Sequence, residues 1–449
     1  MRGLQAVELC EPWGAPQPCL RRPGPVGGRS VPGLFLIVLV LAVVTNYYDF
    51  YILGYRFRGW AWVLILVASM LRIASARLNV MFPVWIWAPW AAYVFIRAFS
   101  GYEYVWQSTA QILCPLVAGI AASTYRLMPV KLESVQVLIR RAYAAFLAGF
   151  LLIIVPFSVR DIDNSGFAAG AMTALFFQSF FLCSYFLNGR SPRDVMCYLA
   201  AIGVPVVSGN RGPLLASVGL LVLAIVPISV RRRILLAGVA AAIGIAAFYT
   251  PKFQHKMFYS GRGELADLHL DNRDLRMNAR TEMWRSLEQG IALSPWVGHG
   301  GNADRTWLLR HGFAMYLPHN DWLRLRFNYG WVGVVLFILA IGGQIVHSVR
   351  TFWKSSPGLR ALSASGVSCF VAFVIVMLTD NVLIYCQYFT VPMMLLVGGS
   401  YSVVYRRPTL LAQSRRQKRM VGLGRLVEYT KPVARGAGGR EAGRATALA

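Results

Sequence analysis

The chain has 449 residues, 56% of them hydrophobic and only 14% charged, with a mean hydropathy of +0.51, which excludes an ordinary soluble globular domain. Alternating ten-residue segments are absent, which excludes an outer-membrane barrel. The formal charge of +26 invites a nucleic-acid reading, but the charge lies in short basic clusters between apolar runs, as in the cytoplasmic loops of polytopic membrane proteins, so no nucleic-acid partner is expected.

In chain order, residues 1–32 are rich in Pro, Gly and Arg and read as a disordered cytoplasmic tail. Nine apolar segments follow within 33–249, at about 33–52, 60–75, 81–97, 106–123, 142–158, 167–187, 194–207, 213–229 and 233–249. The first is too long for a signal-peptide core and lacks a small-residue cleavage site, so it is expected to remain a helix. Residues 250–329 form one large polar excursion. Three more segments, at 331–349, 362–379 and 383–404, complete a span region over 330–405, and 406–449 is a basic tail, solvated or bound to lipid headgroups. The expected fold class is therefore an all-α integral membrane protein of about twelve transmembrane helices embedded in a lipid bilayer.

Placing the N-terminus inside puts Arg72 and Arg77, Arg126 to Arg141, Arg190 and Arg193, Arg231 to Arg233, and Arg350 to Arg360 on the cytoplasmic side. The 250–329 excursion is then extracytoplasmic, and a long loop is exempt from the charge rule its many Lys and Arg residues break. A mere connection needs only a few residues, so a loop of this size is expected to carry function. Cys10, Cys19, Cys114, Cys183, Cys197, Cys369 and Cys386 form neither a CxxC nor a Cys/His pattern and read as packing residues.

Within the loop, NARTEMWRSLEQGIALSPWVGHGGN reads as a helix with Asn278 as N-cap and Arg280, Trp284 and Leu287 on one face. Ser294-Pro295 with Gly298, Gly300 and Gly301 ends it; the glycines follow a helix, not a strand, and so form a flexible turn instead of a dinucleotide fingerprint. Upstream, SGNRGPLL places Arg211 where the chain re-enters the bilayer. An arginine near the midplane costs about 2.5–3.5 kcal/mol, so Arg211 either snorkels or lines a polar cavity.

Residues 318–333, PHNDWLRLRFNYGWVG, run directly into an apolar span. Here His319 is either an interfacial helix cap or a functional imidazole, and Asn320 either orients that ring or caps the helix. Gly330 and Gly333 suit close helix packing. Trp322, Tyr329 and Trp331 fit an interfacial aromatic belt. Arg324 and Arg326 bind phosphate or anionic headgroups. His255, His299 and His311 read as surface residues, and Asp380 and Asn381 as a turn or, for the carboxylate, a partner of one arginine.

Together these stretches resemble the O-antigen ligase and polymerase superfamily of bacterial membrane glycosyltransferases. Arg211 to Leu215 fits R-x(3)-L at the outer end of a span; Arg280 with Trp284 and Pro295 to Gly300 resembles the core of the family's large periplasmic loop; His319, Asn320, Gly330 and Gly333 fit H-[NSQ]-x(9)-G-x-x-G. The resemblance covers about residues 200–345. It implies a GT-C-type helical fold in the bacterial inner membrane with its active site facing the periplasm. There a glycan carried on undecaprenyl diphosphate passes to a hydroxyl of an acceptor glycan, lipid A core or growing polymer, with no cofactor and no metal.

On that reading Arg211 and Arg280 bind the departing diphosphate, since a guanidinium fork matches phosphate oxygens and stays charged. His319 takes the acceptor's proton, or only positions the acceptor or diphosphate. Candidate catalytic residues are thus His319, Arg211 and Arg280, and candidate substrate-binding residues Arg211, Arg280, Asn320, Trp284 and Arg324. The competing readings are a polytopic polysaccharide transporter or flippase and a non-catalytic export-complex component. A transporter predicts inverted repeats and charges at midplane; this chain has no internal repeat, and its polar residues gather on one face.

Overall fold

The structure, a computed structural model, describes residues 32–404 except 49, 77–78, 126, 128, 159–164, 270–271, 273, 276–279, 314–316 and 356. The tails expected at the two ends and the expected N-cap Asn278 therefore lie outside the described residues. The helices run in order Gly33–Val44, Phe57–Ser75, Val84–Arg97, Val105–Ser123, Pro129–Gly149 (continued by a π turn at Phe150–Ile154), Ser165–Leu187, Pro192–Ser208, Arg211–Leu223 and Val230–Phe248. Three shorter helices, Pro251–Met257, Arg280–Leu293 and Ala303–Arg310, occupy the polar excursion, and Asp321–Lys354, Pro357–Val376 and Thr390–Val404 follow it.

Each of the twelve expected segments overlaps a helix, but only six helices among the described residues are long and apolar enough to cross a membrane: Phe57–Ser75, Val105–Ser123, Lys131–Ile154, Ala169–Leu187, Asp321–Lys354 and Leu359–Val376. The chain is a mostly helical multi-pass membrane protein, and Gly33–Val44, Arg211–Leu223 and Thr390–Tyr401 are shorter apolar helices beside those six. Two of the expected segments end early, for local reasons. The expected 33–52 span stops at Val44, where the Thr45 hydroxyl donates to Leu41 O at 2.7 Å and the Asn46 amide to Ala42 O at 2.6 Å. These bonds draw the backbone into a turn. A two-stranded hairpin follows, Tyr51–Ile52 paired with Tyr55–Arg56 through Leu53 and Gly54 at positive φ. The expected 213–229 span ends at Leu223; the Arg233 guanidinium donates to Ala224 O and Val226 O, both at 2.9 Å, satisfying carbonyls that a longer helix would have used.

Small residues set the closest helix approach. A Cβ on Gly398 would sit 1.9 Å from Gly119 O, so Val105–Ser123 and Thr390–Val404 touch backbone to backbone. The main core centres on Phe176, Phe177, Phe180 and Phe181 of Ser165–Leu187, with Tyr143 and Phe146 packed on them. A separate small core of Met283, Leu287, Ile291, Ala303, Leu308 and Phe327 joins the excursion's helices to the start of Asp321–Lys354. That second core fixes the site.

Candidate active site

Asp321–Lys354 has 34 residues, about 50 Å of helix, and is broken at Gly330 (φ 62°, ψ −170°), a conformation open only to glycine. A break in a helix orphans backbone groups, and the Pro295–Gly300 segment takes them up. Trp331 N–H donates to Pro295 O (2.9 Å) and Val332 N–H to Trp296 O (3.0 Å). In return, His299 N–H and Gly300 N–H donate to Phe327 O (3.0 Å) and Asn328 O (2.8 Å). The two glycine-bearing stretches noticed in the sequence thus form one backbone junction. A Cβ on Gly330 would lie 2.2 Å from Trp296 O, so the glycine serves the loop contact and the break. The Gly298–Gly301 stretch, expected to be a flexible turn, is the other half of this junction.

Upstream of the break the chain presents His319 at φ 51°, a left-handed conformation unusual for a side-chain-bearing residue. Two neighbours hold it there. The Trp284 indole N–H donates to Pro318 O at 2.7 Å, and Asn320 Oδ1 accepts from Leu323 N–H at 3.0 Å as the N-cap of the long helix. Of the two roles open to Asn320, the structure shows the cap; Trp284 fixes the backbone one residue before the imidazole.

The imidazole Nδ1 lies 3.3 Å from Asp380 Oδ1, with side-chain exposures of 23% and 16%, sheltered yet reachable. Asp380 also accepts from Asn381 N–H at 2.8 Å. It sits in the turn after Pro357–Val376, where the neighbouring Thr379 O accepts from the Arg280 guanidinium at 3.4 Å. Burial lowers the Arg280 pKa from the ordinary arginine value, and the Asp380 carboxylate opposes that shift. Arg211 opens its helix against the same turn: a Cβ on Gly212 would meet Thr379 Oγ1 at 1.9 Å, and the Arg211 and Arg280 guanidinium groups are near enough to repel each other. Arg211, Arg280 and His319, from three separate stretches of sequence, therefore meet at Thr379–Asp380.

Arg324 does not join this group. It is 3% exposed, its Nε donates to Asp304 Oδ2 at 3.1 Å and its Nη2 to Ser108 Oγ at 2.9 Å. The amide of Asn328 completes the arrangement by donating to Asp304 Oδ1 at 2.8 Å. Arg324 thus ties the excursion helix Ala303–Arg310, through Asp304, and the membrane helix Val105–Ser123, through Ser108, to the long helix Asp321–Lys354. Arg326 lies over the Trp331 ring, 4.6 Å from its centroid. His299, expected at the surface, is instead half-buried, stacked on Phe327 with Nε2 2.8 Å from Gly290 O.

Two residues gain weight from the structure. Asp380, readable in sequence as a turn former, is the carboxylate that both His319 and Arg280 face. Thr379 carried no signal, because its contribution is a backbone carbonyl and a close contact with a glycine. Among the described residues no three or more His, Cys, Asp and Glu side chains cluster as metal ligands would.

A comparison with curated protein sequences finds no match. Residues 196–338 match the family model described as O-antigen ligase, and that stretch contains Arg211, Arg280 and His319.

Proposed function

We propose that the protein transfers a glycan from undecaprenyl diphosphate to an acceptor hydroxyl at the outer face of the bacterial cytoplasmic membrane, without a metal. The observation that carries this reading is the gathering of Arg211, Arg280 and His319 around Thr379–Asp380 in a chain whose residues 196–338 match the O-antigen ligase model.

The acceptor oxygen attacks the anomeric carbon while the bond from that carbon to the diphosphate oxygen breaks. Negative charge grows on the diphosphate, and the guanidinium groups of Arg211 and Arg280 stabilise it with hydrogen bonds already in place. The proton leaving the acceptor hydroxyl goes to His319. With Nδ1–H donating to Asp380, the lone pair is left on Nε2, so the carboxylate selects the tautomer able to act as base and stabilises the imidazolium that forms. Such a base contributes about 100- to 10,000-fold. Trp284 and Asn320 act on the backbone around His319, and Arg324 on the seating of the loop.

Complementation of a deletion strain with Arg211→Ala, Arg280→Ala or His319→Ala at equal protein level tests the reading on gels of surface glycan. Loss of polymer-capped lipopolysaccharide with lipid-linked polymer accumulating assigns a ligase; single-repeat products assign a polymerase. Full rescue by all three variants overturns the catalytic reading in favour of a transporter or a non-catalytic export component.

A further inference from the structure

The turn that carries Thr379 and Asp380 is gripped on both sides by one residue of another helix. Asp321 N–H donates to Met377 O at 2.8 Å before the turn, and Asp321 Oδ2 accepts from Leu383 N–H at 2.8 Å after it. The turn's own bonds run back to its parent helix, Thr379 N–H at 3.0 Å and Asp380 N–H at 2.9 Å from Val376 O, and do not tie it to the His319 side. Asp321 does so: it is the first residue of the long helix, two positions beyond His319 and adjacent to the Asn320 cap.

The Asp321 side chain is wholly buried, and its Oδ1 has no hydrogen-bond partner among the described residues. The charge of Arg324, itself buried, offsets part of the cost of burying this group. What its other oxygen fixes is the distance across Met377–Leu383, and with it the place of Thr379 O opposite Arg280 and of Asp380 opposite His319. We infer that Asp321 is a positioning residue of the transfer site, setting the His319–Asp380 geometry through Leu383; the inference rests on the proposed function. Its side chain acts as a hydrogen-bond acceptor, a task that an asparagine carbonyl also performs.

The test uses full-length protein in lipid nanodiscs and in deletion cells, with undecaprenyl diphosphate as the binding probe and surface glycan as the transfer readout. Asp321→Ala removes the acceptor and is expected to lower transfer about 10- to 100-fold, the scale of a misplaced catalytic group, while probe affinity stays within about 3-fold because both guanidinium groups remain. Asp321→Asn keeps the acceptor and is expected to transfer within about 3-fold of wild type. Wild-type transfer by Asp321→Ala, or a folded Asp321→Asn as impaired as His319→Ala, overturns the inference. Where Asp321→Ala fails to reach the membrane, Asp321→Asn decides alone: near-wild-type transfer upholds the acceptor role and its loss refutes it. His319→Ala and Arg280→Ala run in parallel. If they also transfer normally, the proposed function itself falls; if they are dead while Asp321→Ala is normal, only the positioning role falls.

Discussion

His319 and Asp380 lie 61 positions apart in sequence and face each other Nδ1 to Oδ1 at 3.3 Å. On the proposed mechanism this contact sets which imidazole nitrogen carries the proton. Asp380→Ala should therefore lower glycan transfer about 100-fold with little change in undecaprenyl diphosphate affinity. Transfer kinetics of the purified variant check this, and an unchanged rate removes Asp380 from the mechanism.

The arginines are expected to depend on shape as well as charge. Arg211→Lys and Arg280→Lys keep the positive charge but lose the bidentate fork, so each should bind undecaprenyl diphosphate about 10-fold more weakly than wild type, and the alanine variants more weakly still. Titration in nanodiscs reads the order wild type, lysine, alanine; equal affinity for all three contradicts a diphosphate role.

Arg324 is expected to behave as a structural residue. Its removal leaves Asp304 buried and uncompensated, a loss of about 3–5 kcal/mol, so Arg324→Ala should lower the thermal midpoint sharply. Pairing Arg324→Leu with Asp304→Asn should recover part of the loss. In whatever protein remains folded, undecaprenyl diphosphate affinity should be unchanged; a selective fall in affinity at normal stability would instead make Arg324 a substrate ligand.

Gly330 is expected to tolerate no side chain. Its positive φ and the 2.2 Å approach of a Cβ to Trp296 O make Gly330→Ala destabilising by about 3 kcal/mol, measured as a lowered unfolding midpoint. Gly342 has open space around it, so Gly342→Ala at the same helix should be near neutral and serves as the control.

The helical segments were legible because apolar runs in lipid have one backbone solution. Their lengths were not: Asn46 and Arg233 end helices through side-chain bonds to particular carbonyls, which hydropathy does not register. Arg211, Arg280 and His319 were legible as charged or titratable groups at the doorsteps of apolar segments. Asp380 was harder to weigh, since a lone carboxylate before a span also suits a plain turn and only the fold brings it to His319. Arg324 was hard to place for the opposite reason. Beside Arg326 it reads as a headgroup or phosphate ligand, yet the helix turns Arg324 inward against Asp304 and lays Arg326 over Trp331.

The most direct measurement is release of undecaprenyl diphosphate and appearance of transferred glycan when purified full-length protein in nanodiscs, with a metal chelator present, is given an undecaprenyl-diphosphate-linked glycan and a hydroxyl acceptor. Transfer by the wild type, with rates at least about 100-fold lower for His319→Ala and for Arg211→Ala, is the expected result. Transfer by both variants at the wild-type rate, or a wild-type protein active only with added divalent metal, would contradict a site built on Arg211, Arg280, His319 and Asp380.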